Sequence, residues 1–276
     1  MYYRTSPSYA RGRGSGCSGR LIMAAAIALF SIISYFGSKQ DNPITGETQY
    51  INITPEQEIA LGLQAAPQME QEFGGKDENA NDQAIVDQVG NNVLQGSPAS
   101  RSPYQFEFHL LNDDQTINAF ALPGGPVFIT RALYDKLQTE GELAGVLGHE
   151  IGHVVARHSA EQIAKTQLTE GLTGAAVIAA YDPNNPASAN SAQIAALIGQ
   201  LITLKYGRDD ELEADRYGVC FMNDAGYDPN EMVSVMQILE ASSSGNDPPE
   251  FFSTHPSPAN RIQQIQTAIQ NINNCP

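Results

Sequence analysis

The 276-residue chain contains no tryptophan, only three cysteines and only five histidines. Without tryptophan, any aromatic core must be built from phenylalanine and tyrosine. Cys17, Cys220 and Cys275 are too scattered for a zinc ribbon. Residues 1–40 contain no acid at all, but hold Arg4, Arg11, Arg13, Arg20 and Lys39. Those are five of the 15 bases, so the remaining chain sets ten bases against all 31 acids. A body that acidic is repelled by nucleic acid and by anionic lipid surfaces, which excludes nucleic acid as a partner. Glycine and proline show no collagen-like period, no internal repeat is visible, and a hydrophobic content of 41% is too high for a disordered chain.

The N-terminus divides into a basic, Gly/Ser-rich stretch over residues 1–20 and an uncharged run, Leu21 to Phe36, followed by Lys39. The run lies between the length of a secretory core and that of a spanning helix. Tyr35 and Phe36 occupy the places where a small-x-small cleavage site would fall. The expectation is an uncleaved signal anchor over 21–37 with residues 1–20 as a cytoplasmic tail, because the basic flank stays inside. The acidic body then lies outside the cytoplasm, on the periplasmic or cell-envelope side. A removed signal peptide and a mitochondrial presequence, which would place the chain at the inner membrane, are the alternatives. In an oxidising compartment Cys220 and Cys275 either pair or stay free.

Residues 38–54 are polar and read as a linker, with the folded domain over 55–276. Thr54-Pro55-Glu56 opens a helix running to about Phe73, stopped by Gly74-Gly75. A second amphipathic helix fits Asp82–Leu94. Alternation over Tyr104–Leu110 predicts a strand, and 117–130 a hairpin turning at Pro123-Gly124-Gly125. Helices are expected at 141–170, 190–205, 208–225, 229–241 and 257–272, separated by breaker-rich loops at 182–186 and 244–249.

Two of the five histidines fall in His149-Glu150-Ile151-Gly152-His153, within an apolar helical stretch. Residues four apart share a helix face, so both imidazoles can close on one metal ion, with Glu150 beside them to hold a water. This is a zinc-hydrolase arrangement, which needs a third protein ligand and an open position. On one continuous helix, at about 100° per residue, His158 points to the opposite side and is not that ligand. Ala156 and Ser159 rule out the extended metzincin pattern. Gly141, Gly145, Gly148 and Gly152 form a stripe on the same helix. Each costs about 1 kcal/mol against alanine, so the stripe is expected to seat another backbone close to the metal side.

Downstream stands Arg208-Asp-Asp-Glu211-Leu-Glu213-Ala-Asp215. With the HExxH motif, this segment resembles the zinc metalloprotease family that includes HtpX, the CAAX prenyl endopeptidase, the mitochondrial Oma-type protease and periplasmic BepA. The resemblance covers about residues 55–270 and includes Asn118-Ala-Phe-Ala-Leu-Pro-Gly-Gly125 and Thr254-His255-Pro256 with Arg261. Gly207 and Arg131 depart from the family's usual Ser/Thr and Gly.

The resemblance implies a zincin-like α+β fold, helix-dominated with a small sheet, and one Zn²⁺ per chain held by His149, His153 and Glu211. Glu211 and Asp215 share a helix face, so one is free to orient a ligand imidazole, while Glu213 lies about 200° away from Glu211. The implied activity is a membrane-anchored metalloendopeptidase with Glu150 as base and Arg208 or His255 as oxyanion donor. Its substrates are misfolded or envelope polypeptides, held along the edge strand Asn118, Ala119, Phe120 and Ala121. A different class of function is a chaperone-like client binder with proteolysis repressed by His255 in the open metal position. A third use of His255 is structural, fixing the loop before the last helix. No oligomeric state can be read from the sequence.

Overall fold

The computed structural model describes residues 16–180, 206–243, 248–256 and 260–275. The helix expected at 190–205, the loop at 182–186 and most of the basic tail lie outside the described residues.

Helix α1 (Gly16–Gly37) carries the apolar N-terminal run. Over Gly19–Gly37 it is long and apolar enough to cross a membrane, and Leu21, Ile22, Leu29 and Phe30 are exposed. The polar segment read as a linker is structured: β1 (Lys39–Asp41) and β2 (Thr48–Tyr50) form an antiparallel hairpin. Helix α2 (Pro55–Glu72) starts where predicted, under a capping box of Thr54 and Gln57. Helix α3 (Ala80–Gly96) follows, capped by Asn79.

Strands β3 (Glu107–Leu111), β4 (Ala119–Ala121) and β5 (Pro126–Thr130) make one sheet in the order β3-β5-β4. The expected hairpin is present, with β4 antiparallel to β5, while β3 runs parallel to β5 on the other side. The first strand starts three residues later than its alternation suggested. The short helix α4 (Arg131–Tyr134) leads to α5 (Glu140–Val155), which is buried along nearly its whole length.

The helix predicted over 141–170 is two helices. It breaks at Ala156-Arg157, where Arg157 has φ 59°, the one non-glycine residue with positive φ among the described residues. The break is stabilised from outside the helix. Asn42 Nδ2 donates to Val155 O at 2.8 Å, Gln49 Nε2 donates to Ala156 O, and Arg157 ion-pairs with buried Glu58. The β1–β2 hairpin therefore caps the carbonyl end of α5.

Helix α6 (His158–Ala180) packs along α1. Helices α7 (Arg208–Asp224), α8 (Glu231–Ala241), α9 (Phe251–Thr254) and α10 (Arg261–Gln270) complete the described chain. Cys220 of α7 is joined to Cys275, 55 residues on, with Cα atoms 5.6 Å apart. The main core brings together Val86 and Val93 of α3, Ile129 of β5, Leu147 and Ile151 of α5, and Tyr217 and Phe221 of α7. Burial of these apolar side chains, worth about 1.5–3 kcal/mol each, fixes α5 between the sheet and α7.

Candidate metal centre

Helix α5 is anchored at its start by Thr139, whose hydroxyl accepts from Glu142 N at 3.0 Å. Its glycines face the neighbouring helices. A Cβ at Gly152 would stand 3.0 Å from Ala214 O, and one at Gly148 would stand 3.4 Å from Gly218 O. Gly145 and Gly141 face Val235 and Glu231 of α8. The stripe thus seats α7 and α8, as its spacing suggested. In α7, Asp210 accepts from Gly207 N at 2.9 Å, closing the first turn without the hydroxyl that Gly207 lacks.

This close approach puts Glu211 over His149 and His153. One donor atom from each of His149, His153, Glu211 and His255 lies within 4.8 Å of the other three. The Nε2 atoms of His149 and His153 are 3.0 Å apart, and Glu211 Oε1 is 3.5 Å from His153 Nε2. Glu211 and His255 are wholly buried, with Nδ1 of His255 3.1 Å from Glu211 Oε1. Glu150 is wholly buried too, and among the described residues neither of its carboxylate oxygens has a hydrogen-bond partner. Buried lone pairs left this way fit a metal ion and a polar ligand better than a packed core. Two imidazoles, one carboxylate and a further imidazole are a borderline-soft N/O donor set.

The surroundings orient these groups. Asp215 Oδ1 is 2.9 Å from His149 Nδ1, and Arg261 grips Asp215 with two hydrogen bonds of 2.7 and 2.8 Å. Arg261 Nη1 also lies 3.0 Å from Glu211 Oε2, as an ion pair out of hydrogen-bond line. Tyr206 stacks on His153 with ring centroids 4.0 Å apart, and Phe251 stacks on His255 at 4.4 Å. Burial raises the Glu150 pKa, partly offset by His255 and His149. Burial pushes the same way at Glu211, but the attraction of His255 and His153 more than reverses it and holds this carboxyl well below its usual range. Burial lowers the His153 pKa well below the ordinary value, keeping the imidazole neutral and able to ligate.

A cleft of about 340 Å³ is lined by Asn118, Phe120, Ala121, Tyr206 and His255, among others. Of the four clustered residues, His255 is the one that lines it. Strand β4 is the edge strand of its sheet, and its three residues are buried. Asn118 and Leu122 use their inward groups on β5 (Thr130 N to Asn118 O at 3.0 Å, Leu122 N to Pro126 O at 2.8 Å), so Ala119 and Ala121 turn theirs outward. The segment carrying His255 is tied to this edge by Phe251 N donating to Ile117 O at 3.1 Å.

Two residues are placed differently from expectation. Arg208 is exposed at the first residue of α7 and stands outside the cluster; the guanidinium at the site is that of Arg261, 2% exposed. Arg261 was visible only as part of the late His-Pro motif, because nothing in its own local sequence marks it as buried. His158 does not point away. The break at Arg157 removes the continuous helix on which that angle rested, and His158 Nδ1 lies 2.9 Å from His153 Nδ1. It is not among the four clustered donors.

An HExxH helix packed beneath a small sheet, with acidic and histidine donors brought in by later helices, defines a zincin-like, helix-dominated metallopeptidase domain. Sequence comparison gives the same class, and the chain belongs to peptidase family M48, whose profile matches residues 80–269. It is similar to the beta-barrel assembly-enhancing protease of Yersinia pestis, with 34% identity over 187 residues, 66% of this chain and 37% of that protein. It is also similar to the mitochondrial metalloendopeptidase OMA1 of Schizosaccharomyces pombe (29% over 251 residues, 90% of this chain and 70% of that one). The corresponding protein of Saccharomyces cerevisiae is 30% identical over 193 residues, 67% of this chain and 51% of that protein. The chain therefore spans little more than a third of the length of the bacterial relative.

Proposed function

We propose that this chain is a membrane-anchored zinc metalloendopeptidase that cleaves misfolded or envelope polypeptides. The observation that carries the reading is the convergence of His149, His153, Glu211 and His255 beside a buried Glu150 that has no hydrogen-bond partner among the described residues. His149, His153 and Glu211 hold one zinc ion, and Asp215 orients His149. When bound, zinc in such a set polarises a substrate carbonyl and acidifies water. Glu150, its proton affinity raised by burial, takes the proton of the attacking water and passes it to the leaving amine. Along the 118–121 edge strand, the outward groups of Ala121, which lines the cleft, bind an extended main chain. Main-chain binding of this kind suits unfolded clients, because it reads little side-chain sequence.

His255 favours a second component of this reading. It lines the cleft, and its ring lies 3.1 Å from Glu211 and 3.4 Å from His149. Such a chain rests closed, binds clients first and cleaves when the segment after α9 moves. Taken further, this is the client-binding factor with repressed proteolysis.

The anchor is α1, with the basic flank on the cytoplasmic side and the acidic body outside. The Cys220–Cys275 disulfide suits that oxidising side. A mitochondrial inner-membrane setting is the alternative, one in which the OMA1 relatives would be counterparts.

The deciding experiment compares wild type with Glu150→Gln on casein and on an unfolded client, with zinc measured in both. The expected result is one zinc per chain in each and hydrolysis only in wild type. Equal hydrolysis by Glu150→Gln, or loss of its zinc, would overturn the assignment. Extraction of the body by high salt, or its inaccessibility to protease from the outer face, would overturn the anchoring.

A further inference from the structure

The two residues that geometry first excluded as metal ligands, His158 and Glu213, stand together behind one that is not excluded. His153 presents Nε2 to the cluster, 3.0 Å from His149 Nε2. Its other nitrogen, Nδ1, faces His158 Nδ1 at 2.9 Å. On the far side of the His158 ring, Nε2 lies 3.5 Å from Glu213 Oε2 and has no hydrogen-bond partner among the described residues. Both imidazoles are 1% exposed, so water does not compete for these positions.

We propose that His158, backed by Glu213, is the positioning pair for the ligand His153. The inference rests on the metal site proposed above. Two ring nitrogens 2.9 Å apart need one proton between them, and the choice is constrained at both ends. For His153 to offer the Nε2 lone pair, its proton must sit on Nδ1, which then donates to His158 Nδ1. His158 must in turn carry its own proton on Nε2. The Glu213 carboxylate favours that proton by its charge, at a distance too long for a well-formed hydrogen bond. A ligand imidazole whose outer nitrogen is held is fixed in tautomer and in ring orientation.

The two metal-binding histidines are thus steadied by different devices. His149 is held directly by the Asp215 carboxylate at 2.9 Å, and His153 through an intervening imidazole. Both carboxylates come from α7, two residues apart, and follow Glu211 within about one helix turn. The break at Arg157 makes this possible. A continuous helix carries position 158 away from position 153, whereas the left-handed residue starts α6 in a new direction and turns the His158 ring back.

The test uses the full chain in detergent and measures zinc affinity by competition with a chromophoric chelator. His158→Phe keeps a ring of similar volume and removes the acceptor. It is expected to weaken zinc binding about 10–100-fold while circular dichroism stays native. Two-bond ¹⁵N–¹H spectra of the wild-type chain are expected to place the His153 proton on Nδ1 and the His158 proton on Nε2, which a merely space-filling role does not require. Should His158→Phe fail to fold, Glu213→Leu, at a side chain 26% exposed, is expected to shift affinity in the same direction. Wild-type affinity in a folded His158→Phe or in Glu213→Leu, or a His158 proton on Nδ1, overturns the pair alone. A wild-type chain that binds no zinc overturns the metal site and the pair with it.

Discussion

Gly152 of α5 faces Ala214 of α7 so closely that a side-chain carbon at position 152 would stand 3.0 Å from the Ala214 carbonyl oxygen. One turn earlier Gly148 faces Gly218 in the same way, and a Cβ on Gly218 would in turn meet His149 N at 3.1 Å. The two backbones touch where the ligand residues sit, so the distance from Glu211 to the histidines is set by glycine. Gly148→Leu is therefore expected to push α7 outward, to destabilise the fold by about 1–3 kcal/mol and to lower zinc retention. Zinc content and urea midpoint read both effects. Full retention of zinc would show that the stripe does not set the site.

Replacing His255 by alanine separates a plug from a participant. A residue that closes the cluster at rest predicts that His255→Ala raises basal hydrolysis of a short quenched peptide, with zinc content unchanged. If His255 instead donates to the developing oxyanion, kcat falls about 10²–10³-fold. The position of its ring between the cleft and Glu211 favours the rise.

Glu58 and Arg157 form a buried ion pair, 1% and 6% exposed, and Arg157 also donates to Ile53 O at 2.9 Å. This pair fastens α2 to the break after α5. Glu58→Ala leaves a guanidinium buried without its carboxylate, at an expected cost of about 3–5 kcal/mol in denaturant unfolding. A change below about 1 kcal/mol would mean that water or another carboxylate reaches Arg157.

The pH dependence of stability is predicted at Asp77, far from the metal centre. Arg131 holds this carboxylate with contacts of 2.6 and 2.9 Å. Those hydrogen bonds, working against partial burial, lower the Asp77 pKa from its usual 3.8. A lowered folded pKa stabilises the fold above the unfolded value and loses that contribution as pH falls through the folded one. Asp77→Asn is expected to be about 1–3 kcal/mol less stable than wild type at pH 7, and the gap is expected to narrow below about pH 4. A gap of equal size at pH 7 and pH 2.5 would remove Arg131 as its cause.

Much of the site was legible because short-range geometry carries it. Spacing of four placed His149 and His153 on one face of a helix, and the glycine stripe predicted a close backbone, which α7 and α8 supply. Glu211 and Asp215 were separable from Glu213 by helix angle together with the family resemblance. Arg261 was less legible, since a lone arginine in an amphipathic helix looks solvent-exposed until Asp215 is seen to face it.

The sequence alone determined the local chemistry: an HExxH helix, its capped neighbours, an apolar N-terminal run and an acidic body. These depend on residues within one or two turns of each other, where side-chain period and capping decide the outcome. The tertiary structure decided what no local rule reaches. It left Arg208 exposed and buried Arg261 beside Glu211 and Asp215, set His255 in the cleft lining, and joined Cys220 to Cys275. It also turned His158 toward His153, because a helix interrupted at Arg157 no longer carries its angular phase across the break. That interruption is held by Asn42, Gln49 and Glu58, residues about a hundred positions away. Contacts over such separations depend on how the whole core packs, which is why they emerge only from the folded chain.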